Sequence, residues 1–111
     1  MEIDVETRGN RVAVIGFAGR LDMLSAVDVK QKLVEVVEGG SHRLVIDLDK
    51  VSFVDSSGLG ALISGLKAAR VAGGDLRLAR PDKQVRYILE VSTLERVLRP
   101  YATVEEALAG Y

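Results

Sequence analysis

The sequence predicts an α/β domain: a mixed β-sheet of four to five strands, opened by an N-terminal β-hairpin and covered by about four helices. Three observations carry this reading. Residues 2–8 alternate Glu2, Asp4 and Glu6 with Ile3, Val5 and Thr7, the period of a strand with one wet face. Two later segments repeat apolar residues at helical spacing and stop at Gly39-Gly40 and Gly73-Gly74. Short apolar runs of strand length follow each of those stops, at 44–48 and 75–80.

The elements follow in order. Residues 2–8 form an edge strand, and Gly9-Asn10 separates them from 11–17. There Val12 and Val14 oppose Ala13, Ile15 and Phe17, so both faces are apolar and the strand is central. A first helix spans 25–38 through Ala26, Val29, Leu33, Val36 and Val37, with Val27 and Val34 widening its stripe. The run Leu44-Val45-Ile46-Asp47-Leu48 then lies parallel to its predecessor through a right-handed crossover. A second helix spans 57–72, its apolar stripe being Leu59, Leu62, Ile63, Leu66, Ala69 and Val71, with Lys67 and Arg70 on the wet side. After a strand through Leu76 and Leu78, Pro81 opens a third helix through Val85, Ile88 and Leu89. Residues 94–98 make a last short strand or a turn before Pro100. Thr103-Val104-Glu105-Glu106 then reads as a capping box for a final short helix through Ala107 and Leu108. With no repeat, low-complexity tract or linker, residues 1–111 are expected to form one domain.

Composition narrows the function. The chain is 48% hydrophobic and 28% charged, and its fifteen basic residues against sixteen acidic ones give a net charge of -1. That is a globular composition with no basic field for phosphate backbones, so direct nucleic-acid binding is not expected. The absence of cysteine removes thiol chemistry and Cys-type metal sites, and the single histidine, His42, removes a His cluster. The start Met-Glu-Ile-Asp-Val-Glu is acidic and alternating, unlike a secretory leader. No eighteen apolar residues run together, so no membrane insertion is expected and a cytoplasmic location is the natural reading.

The most informative stretch is Val54-Asp55-Ser56-Ser57-Gly58-Leu59-Gly60-Ala61-Leu62, which places two hydroxyls and a carboxylate where a strand gives way to a helix. Ser and Asp are favoured caps, worth about 1 kcal/mol. Capping does not explain the tandem Asp-Ser-Ser, nor two glycines in a helix's first turns, each costing about 0.8–1 kcal/mol relative to alanine. Those glycines point to close approach by a phosphate, the neighbouring strand or another protein. A Walker-type loop needs a lysine after its glycine, whereas Ala61 and Leu62 follow Gly60. A serine hydrolase needs a histidine base, and His42 lies before a different strand. A serine that accepts phosphoryl from another protein needs only an exposed hydroxyl on a rigid turn. That reading requires no local catalytic machinery.

The string Val51-Ser52-Phe53-Val54-Asp55-Ser56-Ser57-Gly58-Leu59-Gly60-Ala61-Leu62 closely resembles the STAS domain family, specifically the phosphorylatable anti-sigma factor antagonists of bacteria. Gly19-Arg20-Leu21-Asp22, the Leu-Val-Ile-Asp-Leu strand and the Ala-Gly-Gly helix ending match as well, so the resemblance covers almost the whole chain. It implies a STAS-like fold and a partner switch. In that switch the unphosphorylated chain binds an anti-sigma factor that is also a serine kinase and thereby releases a sigma factor. Phosphorylation of Ser57 then ends the interaction, and a serine phosphatase resets it. The resemblance puts Asp22, Met23, Asp55, Ser56, Gly58, Leu59 and Gly60 at the partner surface. With no phosphate loop and no Cys or His cluster, neither cofactor nor metal is expected, and the antagonist reading expects no enzymatic activity. The alternative on the same fold is a STAS subunit of a lipid ABC-transport complex or a stress-signalling scaffold.

Other residues have blander readings. Asp22 suits a helix cap or turn as well as a partner contact, and Met23 and Leu24 suit either an exposed surface or a staple at a helix start. Asp47 is expected to hydrogen-bond locally and His42 to lie in a surface loop. Tyr87, Tyr101 and Tyr111 are not expected to form a stacking platform with basic neighbours, which leaves RNA binding without support.

Overall fold

The computed structural model describes residues 1–111. The acidic alternation at the N-terminus forms β1 (Glu2–Arg8), which pairs antiparallel with β2 (Val12–Leu21) in register Arg8↔Val12 to Glu2↔Ala18. Asn10 and Arg11 both adopt left-handed φ, of 64° and 61°, so Arg11 belongs to the turn and not to β2 as the pattern suggested. Helix α1 (Ala26–Glu38) crosses over to β3 (Arg43–Val54), α2 (Ser56–Val71) leads to β4 (Asp75–Ala79), and α3 (Lys83–Val91) is followed by a 3-10 turn at Leu94–Arg96. A two-residue β5 (Pro100–Tyr101) and α4 (Val104–Leu108) complete the chain. Sheet order is β1-β2-β3-β4-β5, and every pair after the hairpin is parallel.

The two faces of the sheet are covered unequally. One face carries the main core, in which Ala13, Ile15 and Phe17 of β2 meet Leu44, Ile46 and Leu48 of β3 beneath Val29 and Leu33 of α1, Leu62 and Leu66 of α2, and Val85 and Leu89 of α3. On the other face α4 covers a small patch in which Ala107 packs on Val45 and Ala79. Helices α1 and α2 approach closely at Gly65, where an added Cβ would lie 2.5 Å from the Leu33 methyl Cδ1.

Both strands leading to the functional region are longer than the sequence suggested: β2 runs on past Phe17 to Leu21, and β3 past Leu48 to Val54. Two irregularities in the β2–β3 ladder explain why. Gly16 pairs with Asp47 but Ala18 with Lys50, and Gly19 pairs with Val51 but Arg20 with Phe53, so β3 spends an extra residue at each step. The residues it buries in the main core accordingly change from spacing two (Leu44, Ile46, Leu48) to spacing three (Val51, Val54), a pattern that period-two reading cannot follow.

Smaller corrections have equally local causes. The third helix is capped by Asp82, whose carboxylate accepts from Val85 N–H (3.0 Å), and Pro81 precedes that cap. Residues 94–96 form the 3-10 turn, with the last strand at Pro100–Tyr101. Thr103 caps α4 as the sequence suggested, accepting from Glu106 N–H (3.0 Å). Val27 and Val71, assigned to apolar stripes, are 66% and 90% exposed. His42 is half-buried with its Nδ1 enclosed and unpartnered. Two of the three tyrosines do gather at a cation: the Arg77 guanidinium lies 5.9 Å from the Tyr101 ring and 3.9 Å from that of Tyr111. Arg77 also donates to the carbonyls of Ala107 and Ala109 (2.8 Å each), so this cluster fastens α4 to β4.

Candidate functional site

The extended β2 and β3 end side by side at Leu21↔Val54, and the chain turns directly into α2. Asp55 is the N-cap, with extended φ, ψ of -110° and -174°. Its carboxylate accepts from Gly58 N–H (2.9 Å), its carbonyl accepts from Leu59 N–H (3.0 Å), and its own N–H donates to the Leu21 carbonyl (3.2 Å). Ser56 and Ser57 are therefore the first two helical residues, one position earlier than the pattern suggested for the helix start, and both are exposed. Their backbone N–H groups lie where an α-helix offers no internal acceptor, at the positive end of its dipole.

The two glycines of this turn have different causes. At Gly58 a Cβ would fall 2.2 Å from the Leu21 carbonyl oxygen and 2.9 Å from Leu21 Cγ, so the helix head rests directly on the end of β2. The approaching group is the neighbouring strand. At Gly60 nothing lies within 4 Å of the position a Cβ would take, and the residue is exposed. Gly58 and Leu59, the latter 5% exposed, are buried in the domain. Of the residues read as a partner surface, these two shape the turn from beneath, while Ser56 and Gly60 face outward together with Ser57.

The second motif abuts the first through Leu21. Asp22 forms a tight turn: its Oδ1 accepts from Leu24 N–H (3.0 Å) and its carbonyl accepts from Ser25 and Ala26 N–H (3.1 and 2.9 Å). The Ser25 hydroxyl, 7% exposed, donates to the Arg20 carbonyl (2.8 Å) and accepts from Asp22 N–H (3.1 Å), fixing the loop internally. Met23 and Leu24, at 71% and 88% exposure, project from this loop with Val27 on the adjoining turn of α1. The staple reading of Met23 and Leu24 is thereby excluded. The arrangement offers hydroxyls on one side and an apolar surface on the other, both on backbone tied down by hydrogen bonds.

Three features escaped the sequence reading. Gln84, in the first turn of α3, accepts from Val54 N–H at Oε1 and donates from Nε2 to the Val54 carbonyl, both at 2.9 Å. Arg20 lies over the Phe53 ring at 4.2 Å and donates to Asp22 Oδ2 (3.4 Å). Asp47, besides accepting locally from Asp49 N–H (3.1 Å), pairs with Arg80, whose Nε donates to Oδ1 at 3.0 Å. Each joins residues distant in sequence or uses an unexceptional polar residue, so composition and spacing carry no signal for it.

Comparison with known proteins places the chain in a family. The family model described as the STAS domain matches residues 2–107. The anti-sigma-B factor antagonist of Bacillus subtilis is 30% identical over 99 residues, covering 88% of this chain and 90% of the relative. The anti-sigma-F factor antagonist RsfB of Mycobacterium tuberculosis is 30% identical over 108 residues, covering 91% and 82%. Among solved structures, the anti-sigma factor antagonist SpoIIAA in its unphosphorylated form superposes with a TM-score of 0.81 at 25% identity, covering 96% of this chain and 93% of that one.

Proposed function

The chain belongs to the STAS domain family, and from that membership we propose that it is an anti-sigma factor antagonist switched by phosphorylation of Ser57. Its relatives' names support the antagonist reading. The observation that carries the switch is an exposed pair of serines at the head of α2, on a turn braced from below by the Gly58–Leu21 contact and by the Asp55 cap. Unphosphorylated, this face and the exposed Met23 and Leu24 bind an anti-sigma factor that is also a serine kinase. That binding frees the sigma factor.

In the transfer, Ser57 Oγ bonds to the γ-phosphorus of ATP held by the kinase, the bond from that phosphorus to the β–γ bridging oxygen breaks, and ADP leaves. The hydroxyl proton passes to a base on the kinase, so this chain contributes the nucleophile and no catalysis. The phosphate adds about -1.5 to -2 charges at pH 7. Within the domain those charges lie beside the free N–H groups of the helix head, so the fold persists. Across an interface fitted to a hydroxyl, the same group adds bulk and a desolvation cost, and binding falls. A serine phosphatase restores the hydroxyl.

The test is intact-mass and fragment mass spectrometry after incubation with a candidate anti-sigma kinase and Mg-ATP. One phosphate on Ser57 is expected. Ser57→Ala should retain kinase binding without accepting phosphate, and Ser57→Asp should bind at least about tenfold more weakly. Equal binding by both variants, or an unmodified Ser57 in a stable complex with an active kinase, would overturn the switch.

A further inference from the structure

We propose that Gln84 is the positioning residue of the Ser57 turn: its side-chain amide takes the place of a missing strand and fixes the peptide unit from which α2 starts. The relevance to phosphoryl transfer rests on the acceptor reading above. Strand β4 pairs with β3 only from Arg43↔Asp75 to Asp47↔Ala79, yet β3 continues to Val54. Beyond Asp47, therefore, one edge of β3 has no strand beside it at the point where the chain must be aimed. Gln84 meets that edge as a strand would, with one acceptor for Val54 N–H and one donor for the Val54 carbonyl, each at 2.9 Å. Asp55 N–H donates the opposite way, to Leu21 of β2 (3.2 Å). The Val54–Asp55 peptide unit is thus gripped at its carbonyl by α3 and at its N–H by β2.

A carboxamide carries a neutral donor and acceptor side by side on one carbon, matching the N–H and C=O of Val54, and asparagine is one methylene short. Gln84 is itself well anchored, because Asp82 caps its helix and Val85 and Leu89 are buried in the main core. The next residue along the gripped chain is the cap of α2, and the second after that is Ser57. Loss of the Gln84 pair leaves Ser57 attached to a less constrained cap, which lowers the fraction of encounters with its hydroxyl correctly aimed.

The experiment compares wild type with Gln84→Ala, Gln84→Glu and, as a control on the exposed side of the same helix, Glu90→Ala. Gln84→Glu keeps the acceptor and loses the donor at nearly constant shape. Amide hydrogen exchange of the isolated protein, followed by NMR at Asp55 and Gly58, is expected to quicken at least about tenfold in both Gln84 variants and not in the control. With a candidate anti-sigma kinase and Mg-ATP, kcat for Ser57 is expected to fall about tenfold with KM changed less than about twofold. Unchanged exchange at Asp55 and Gly58 in a folded variant overturns the proposal. So does faster exchange with unaltered kcat, which would leave Gln84 a purely structural residue. If no kinase modifies the wild type, the acceptor reading fails by itself, and the exchange data still decide whether Gln84 holds the turn.

Discussion

The heads of α2 and α3 are built on the same cap and put to opposite uses. In each an aspartate in extended conformation accepts from the N–H three residues on, Asp55 from Gly58 at 2.9 Å and Asp82 from Val85 at 3.0 Å. What differs is the cargo. After Asp55 come two serines facing outward and a glycine flattened against Leu21; after Asp82 come a lysine, a glutamine turned inward to Val54, and a buried valine. A capping aspartate therefore says where a helix starts and nothing about what it does. Function is carried by the second and third helical positions, where one head presents a hydroxyl and the other braces its neighbour.

The sharpest way to break this comparison is at the third position. Gly58→Ala must push a methyl into the Leu21 carbonyl and should cost about 3 kcal/mol, read as a lowered urea midpoint. Gly60→Ala, two residues on in open space, should instead stabilise by about 0.5–1 kcal/mol. A Gly58→Ala protein as stable as wild type would mean that the close approach to β2 is not a constraint. Next in size are the caps: Asp55→Ala and Asp82→Ala should each cost about 1 kcal/mol, because the two bonds are alike. Only the first should alter modification of Ser57 directly, and a larger kinetic effect from Asp82 would reverse the roles assigned to the two heads.

The smallest expected effect concerns a region away from both heads. Burial, opposed by the nearby Arg77 charge, pushes the Tyr111 phenol well above its ordinary pKa of 10.0, and its hydroxyl donates to the Leu44 carbonyl (3.0 Å). A raised folded-state pKa means that the unfolded chain loses this proton first. The contribution is complete below pH 10 and is lost as pH rises beyond it. Thermal melts of wild type and Tyr111→Phe should therefore converge above pH 10, and parallel curves across that range would exclude the linkage.

Much of this was legible before the fold was known, because it is local. The hairpin, the helix ends at paired glycines and the Asp-Ser-Ser-Gly junction are written in neighbouring residues. The continuation of β3 was not, since its extra residues break the alternation that identifies a strand. Nor was Gln84, an ordinary glutamine in a helix whose partner lies thirty residues away. The exposure of Val27 is a third case: its side chain fits an apolar stripe, and only the packed helix shows that it lies outside it. At the site, the outward face of Ser56, Ser57 and Gly60 follows from helix phase, as does the burial of Leu59 in the apolar stripe, whereas the burial of Gly58 depends on where β2 ends.

The two extra residues of β3 act as bends. Ten residues of β2 are matched by twelve of β3, and the surplus lets two strands of unequal length finish level at Leu21 and Val54. A bulge adds a residue without advancing the ladder, so omission of either surplus residue would leave Val54 level with Leu21 but remove a local bend and twist of β3, and α2 would start in a different direction over the floor on which Gly58 rests. The bends of a strand that ends in a valine are thus what set the direction from which a serine three residues beyond it is presented.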